Sequence, residues 1–126
     1  MGGLSTAGPV PGALVELLCW SECPSHHQAG EMLGSVLAEL GHEPGLVKYV
    51  WVEDDATALE QQFVGSPTFR VNGADLFPAD PREQYGLSCR MYIRRNGRPS
   101  PLPDVEDLRA ALGTALLPKE LEPQPN

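Results

Sequence analysis

An α/β fold is predicted, with one four-stranded mixed sheet, helices on both of its faces and the element order β-α-β-α-β-β-α. Three observations lead to it. Strand-sized apolar or β-branched runs recur along the chain, amphipathic segments repeat apolar residues at 3- and 4-residue steps, and the connections alternate between helix length and turn length. A β-α-β crossover joins parallel strands and a β-β unit joins antiparallel ones, so both pairings are expected in one sheet.

Leu14, Val15, Leu17 and Leu18 form a nearly continuous apolar run, the pattern of a strand buried on both faces. It closes at Cys19-Trp20-Ser21-Glu22-Cys23-Pro24. The first helix then aligns Ala29, Met32, Leu33, Val36, Leu37 and Leu40 on one face, with Gly41 as its C-terminal cap and Pro44 barring continuation. Two starts are open for it. Cys23 can be the N-cap with Pro24 at the first helical position, or Ser25 and Gln28 can form a capping box. Residues 46–52 read as the second strand. Asp54 or Asp55 caps a short helix that turns Ala56, Leu59 and Phe63 toward the core. Residues 67–71 form the third strand, stopped by the turn pair Asn72-Gly73. Residues 74–88 read as irregular, because Pro78 and Pro81 exclude a regular helix or a central strand. The fourth strand spans about 89–94, a Pro-rich loop covers 98–103, and Asp104 caps a last helix carrying Val105, Leu108, Leu112 and Leu116.

The 126 residues suffice for one domain, expected at 13–117 between a flexible leader at 1–12 and a Pro-rich polar tail at 118–126. With 41% hydrophobic residues, disorder throughout is excluded, and no apolar run reaches the roughly 20 residues of a membrane helix. Nine basic against seventeen acidic residues give a net charge of −8, which argues against nucleic acid or an anionic membrane as partner. Met1-Gly2-Gly3-Leu4-Ser5-Thr6 fits the short myristoylation pattern, but a plain Gly-rich leader is preferred. The N-terminus lacks the charged start and apolar middle of a secretory signal, and a reducing cytoplasm is the expected compartment. Three cysteines cannot all pair within one molecule, which disfavours a disulfide-built secreted scaffold and leaves at least one thiol over. No nucleotide loop, serine triad or repeated metal motif is visible, so no cofactor is expected.

The element order, a cysteine between strand one and helix one, and Gly65-Ser66-Pro67-Thr68 opening strand three together resemble the thioredoxin-like superfamily. The segment from Phe63 to Gly73 looks like that family's passage from second helix to third strand. More closely, Cys23-Pro24, Gly65-Ser66-Pro67-Thr68 and Gly86-Leu87-Ser88-Cys89-Arg90-Met91-Tyr92 look like small bacterial thioredoxin-like proteins often labelled alkylmercury lyase-like. The resemblance implies a redox nucleophile at Cys23 and a cis-proline at Pro67 beside it, with the backbone of Ser66 exposed to pair with an extended substrate. One departure stands out: Cys23-Pro24-Ser25-His26 has histidine where the family's second cysteine would sit. The local pair is Cys19 and Cys23 instead.

The residues allow several assignments. A thiolate at a helix N-terminus faces unpaired N–H groups and the positive end of the helix dipole, which favours Cys23 as a reactive thiol; the plain alternative is a buried core cysteine. Cys19 and Cys89 compete as its resolving partner. Cys89 shares a period-two set with Met91 and Ile93 that reads as one apolar strand face. His26, on the edge of the helix's apolar face, can stabilise a thiolate or act as acid or base, whereas His27 points to solvent. Six of the nine basic residues lie between Arg70 and Arg98; Arg90, Arg94 and Arg95 read as a charge-protected edge strand, with capture of carboxylates as the alternative.

Two functions follow from these candidates. The leading one is thiol-disulfide exchange with a disulfide-containing protein or a low-molecular-weight thiol, carried by Cys23, with Cys19, Cys89 or an external small thiol resolving. The other is soft-metal capture of the mercury type by Cys19, Cys23 and Cys89, for which Asp75 and Asp80 are loosely placed proton donors should carbon–metal cleavage occur. Zinc is not preferred, because the cluster of Cys19, Cys23, His26 and His27 lacks a second, separated ligand pair. A domain with the fold and no chemistry is a third possibility.

Overall fold

The computed structural model of the protein describes residues 13–80 and 82–117. The leader at 1–12, its myristoylation pattern, the tail at 118–126 and Pro81 lie outside the described residues. The first strand, β1 (Val15–Cys19), is central: it pairs in parallel with β2 (Val47–Trp51), Val15 opposite Val47 and Cys19 opposite Trp51. On its other side it pairs antiparallel with β3 (Thr68–Val71), and β3 pairs antiparallel with β4 (Ala74–Asp75). The order across the sheet is β2-β1-β3-β4, four strands of mixed direction.

The continuous apolar run of β1 follows from this central place. Val15, Leu17 and Cys19 enter one core layer and Leu18 the other, and all four are buried. On the first face, helix α1 (His26–Glu39) supplies Ala29, Leu33, Val36 and Leu37, and helix α3 (Val105–Ala115) supplies Leu108 and Leu112. On the second, the short helix α2 (Asp55–Glu60) places Ala58 and the following Phe63 against Leu18 and Val52. Gly41, at φ 87°, ends α1: its N–H bonds the Ala38 carbonyl, and the His42 N–H bonds the Leu37 carbonyl, the paired C-terminal closure that a left-handed residue permits. Among the described residues, no helix is long and apolar enough to cross a membrane.

Four expectations are corrected. First, the fourth strand of the sheet is Ala74–Asp75, not 89–94. Asn72 and Gly73 both take positive φ, 52° and 85°, so the chain reverses in two residues and the next two pair straight back onto β3. The 89–94 segment keeps only β5 (Tyr92–Ile93), which pairs antiparallel with β6 (Pro99–Ser100) from the expected Pro-rich loop in a separate two-stranded sheet. Second, Ala56 and Leu59 face out, Leu59 being 66% exposed. Gln62 adopts φ 52° and the Phe63 N–H bonds the Ala58 carbonyl, so the helix closure brings Ala58 and Phe63 inward together.

Third, α1 starts at His26, so Pro24 is not its first residue and Cys23 is not its cap; Ser25 holds the capping position but its hydroxyl makes no capping bond. The Cys23 carbonyl accepts from the His26 amide (3.4 Å) and its ring Nδ1 (2.7 Å), so a turn completes the approach to the helix without a side-chain cap. Fourth, Asp104 stands at the cap of α3, yet its carboxylate binds Arg94 (2.7 and 2.9 Å) and the Arg95 amide (2.5 Å), tying the β5–β6 hairpin to the helix. These bonds, that to the Arg95 amide foremost, hold the Asp104 carboxyl below the usual carboxylate range.

Apolar periodicity gives Leu59 and Phe63 the same inward role, whereas burial separates them. Phe63→Ala is expected to cost about 3–5 kcal/mol and Leu59→Ala no more than about 0.5, read from urea unfolding midpoints. The tie at Asp104 stabilises fully above the ordinary unfolded carboxylate value and is lost as pH falls through its depressed folded value. Asp104→Asn should therefore lower stability at pH 7 and flatten the acid limb of the stability profile.

Candidate functional site

The three cysteines gather at one end of the sheet. β1 ends at Cys19, and the turn Trp20–Cys23, closed by the Cys23 N–H on the Trp20 carbonyl (2.9 Å), folds Cys23 back over that end. Both thiols are fully buried. The Cys23 Sγ donates to the Ser66 carbonyl at 3.4 Å, and the Ser66–Pro67 peptide, immediately ahead of β3, is cis. His26 bonds the Cys23 carbonyl through Nδ1, which must carry the proton there, and its ring packs edge-on to Trp51 with centroids 5.2 Å apart. It addresses the backbone of Cys23 and not its sulfur. His27 is exposed, 3.5 Å from Glu31 one turn on.

Ser66 is buried and its backbone is occupied, contrary to the expected open edge. Its N–H donates to the Ser88 carbonyl and its carbonyl accepts from the Arg90 N–H, both at 2.8 Å, so the chain's own segment 88–90 lies parallel to it with Cys89 opposite. The long irregular connection from β4 thus returns Cys89 to the Cys23 end. Gly65 permits the approach: at φ 142°, a Cβ there would stand 3.0 Å from the backbone of Arg90.

The strand-face expectation for 89–93 is inverted. Cys89, Met91 and Ile93 are the exposed set, and Arg90 and Tyr92 are buried. Tyr92 wins the interior because its ring packs with Phe69 and Phe77, at 6.2 and 5.4 Å between centroids, and its hydroxyl donates to the Pro67 carbonyl. Arg90 can follow it because its guanidinium meets Asp75 (2.8 Å), Thr68 Oγ1 (3.3 Å) and the Phe77 carbonyl. The basic cluster therefore holds the protein's own carboxylates, with Arg94 on Asp104 and Arg95 on Asp107.

The thiols differ in what they can do. Burial, then the charges of Cys23 and Glu53, push the Cys19 thiol up to about 12, and its Sγ faces the Leu17 carbonyl at 3.8 Å. Cys89 is exposed. Its thiol is raised above the ordinary value, first by a side-chain hydrogen bond with Cys23, then by partial burial and by the charge of Cys23. Among the described residues, no three His, Cys, Asp or Glu side chains converge as a metal-binding group. Nor are the two proposed proton donors free for that task. Asp75 is committed to Arg90, and hydrogen bonds from Arg82 keep the Asp80 carboxyl below its ordinary value.

Sequence reasoning named Arg90 in the basic patch and Asp75 as a proton donor but missed that the two pair, with Thr68 as a further partner of the arginine. The available signal was Tyr92, an aromatic on the same strand parity as Arg90. Comparisons with protein-family models, with curated proteins and with solved structures return no match.

At pH 8 a thiol at about 12 is ionised in about one molecule in ten thousand. Alkylation of the native protein, mapped by peptide mass, is therefore expected at Cys89 with Cys19 unmodified. The proton held on Cys19 stabilises the fold below the ordinary thiol value of 9.0, and that contribution falls as pH rises from there toward 12; Cys19→Ala should reduce the alkaline loss of stability. Gly65→Ala, which forces both the left-handed φ and the Arg90 contact, should destabilise by about 1–3 kcal/mol in urea unfolding.

Proposed function

We propose that this protein is a thioredoxin-like thiol-disulfide oxidoreductase in which Cys23 and Cys89 cycle between two thiols and one disulfide. The observation that carries the reading is the convergence of these two residues on Ser66, whose carbonyl accepts from the Cys23 thiol while its backbone pairs with the residues flanking Cys89. The sheet order β2-β1-β3-β4, with β2 parallel and β3 antiparallel to β1, supports the family reading, as does the place of Ser66-Pro67 beside Cys23. The substrate is a disulfide, in a protein or a low-molecular-weight thiol.

Exposure orders the steps. Cys89 is the sulfur that a disulfide reaches from solvent, so it attacks first, giving a mixed disulfide and releasing one substrate thiol. The sulfur of buried Cys23 then attacks that of Cys89 and releases the second. Two S–H bonds of the protein become one S–S bond, and the substrate disulfide takes up both electrons and both protons. Cys23, first expected to be the attacking residue, becomes the resolving one. Cys19, with its thiol pushed up to about 12, stays outside the cycle.

Single Cys→Ser variants test the scheme in a disulfide-reduction assay with oxidised glutathione. C89S and C23S should each lose about 100-fold or more in turnover, and C19S should stay within about twofold of wild type. Peptide mapping of the oxidised protein should find Cys23 joined to Cys89. A disulfide containing Cys19, or a C19S variant as inactive as C89S, would overturn it.

A further inference from the structure

Cys89 lies on an exposed stretch that enters from a long irregular connection, yet the residue after it is a buried charge. The Arg90 side chain is only 6% exposed. Its amide bonds Ser66, its guanidinium reaches Asp75 on β4, Thr68 on β3 and the Phe77 carbonyl beyond β4, and its Cζ stands 4.8 Å from the Tyr92 ring centroid. A guanidinium taken out of water this far needs charge and hydrogen-bond partners, and these take up three of its five N–H donors. One residue thereby fastens the backbone beside Cys89 at Ser66 and, through its side chain, at β3 and β4.

We propose that Arg90 is a positioning residue that sets how readily Cys23 and Cys89 join, with Asp75 as its anchor in the sheet; this rests on the dithiol reading above. The arginine touches neither sulfur. It acts by narrowing the space that Cys89 explores, which raises its effective concentration at Cys23 and shifts the balance between dithiol and disulfide toward the disulfide. Lysine offers a single charged centre on a flexible stem and cannot span Asp75, Thr68 and the Phe77 carbonyl at once, so it restores the charge and only part of the constraint.

The test is the equilibrium of the full chain against mixtures of reduced and oxidised glutathione, with the Cys23–Cys89 disulfide counted by mass after thiol trapping. Relative to wild type, R90A should lower the equilibrium constant for disulfide formation about tenfold, equivalent to about 30 mV, with R90K between the two and D75N lowered about threefold. L112A, which opens a hole in the core on α3 and removes none of Arg90's hydrogen bonds, should lose stability in urea yet keep the equilibrium constant within about twofold, separating positioning from general weakening. Folded R90A with a wild-type constant overturns the proposal; should R90A not fold, wild-type constants in both R90K and D75N overturn it equally. A wild-type protein that forms no Cys23–Cys89 disulfide at any glutathione ratio overturns the dithiol reading itself, and the positioning role with it.

Discussion

Ser66 is the residue at which three stretches of chain meet. It stands between the end of α2's closure and the start of β3, and its two backbone groups serve three partners: its N–H goes to Ser88, and its carbonyl receives both the Arg90 amide and the Cys23 thiol. A buried peptide group must find such partners or cost the fold its desolvation. Meeting that requirement pulls the turn after β1 and the returning segment 88–90 onto one point. The convergence of Cys23 and Cys89 is therefore a consequence of satisfying one buried residue's backbone. Gly65 makes room for it and Tyr92 closes it from beneath through the Pro67 carbonyl.

Around that point the irregular third quarter of the chain is held mainly by arginines. Arg90 ties the segment to β3 and β4, while Arg94 and Arg95 tie the β5–β6 hairpin to Asp104 and Asp107 on α3. Only the first is deeply buried. The exposed pairs contribute little individually in water, and their role is orientation of the hairpin that Tyr92 anchors in the core. Arg90 differs because withdrawing either partner would leave a charge inside the protein. A net charge of −8 hides this arrangement, since Arg90, Arg94 and Arg95 are all engaged by the protein's own carboxylates. In the proposed oxidoreductase, the same economy leaves Cys89 outward on a firmly seated backbone.

How much of this could be read in advance varies by element. The β1 run was legible because it is apolar almost without interruption, and the apolar faces of α1 and α3 because each repeats one period over several turns, so that averaging protects the pattern from one misplaced side chain. The 89–93 segment was not. Five residues carry two period-two sets, Cys89/Met91/Ile93 and Arg90/Tyr92, and hydrophobicity chooses the first. The fold chooses the second, because Phe69 and Phe77 offer Tyr92 a ring pocket and Asp75 offers Arg90 a counter-charge. Leu59 against Ala58 is the same lesson in a short helix, where the left-handed Gln62 sets the inward face. Capping was over-read for a related reason: Ser25 and Asp104 have the right chemistry at the right places, yet tertiary partners took the Asp104 carboxylate and a backbone turn prepared the start of α1.

By itself, the sequence determined the α/β class, the central strand, the apolar faces of α1 and α3 and the presence of an unpairable number of thiols, all properties of local pattern and count. Only the tertiary structure decided which thiols meet. Cys19 and Cys23 are close along the chain, but Cys19 is withdrawn into the core and kept protonated by burial. Cys89, sixty-six residues from Cys23, arrives because a two-residue turn at Asn72-Gly73 used up the edge of β3 early and sent the chain on a long return to Ser66. Proximity across that distance is set by hydrogen bonds that no local pattern encodes, which is why the choice of partner belongs to the fold.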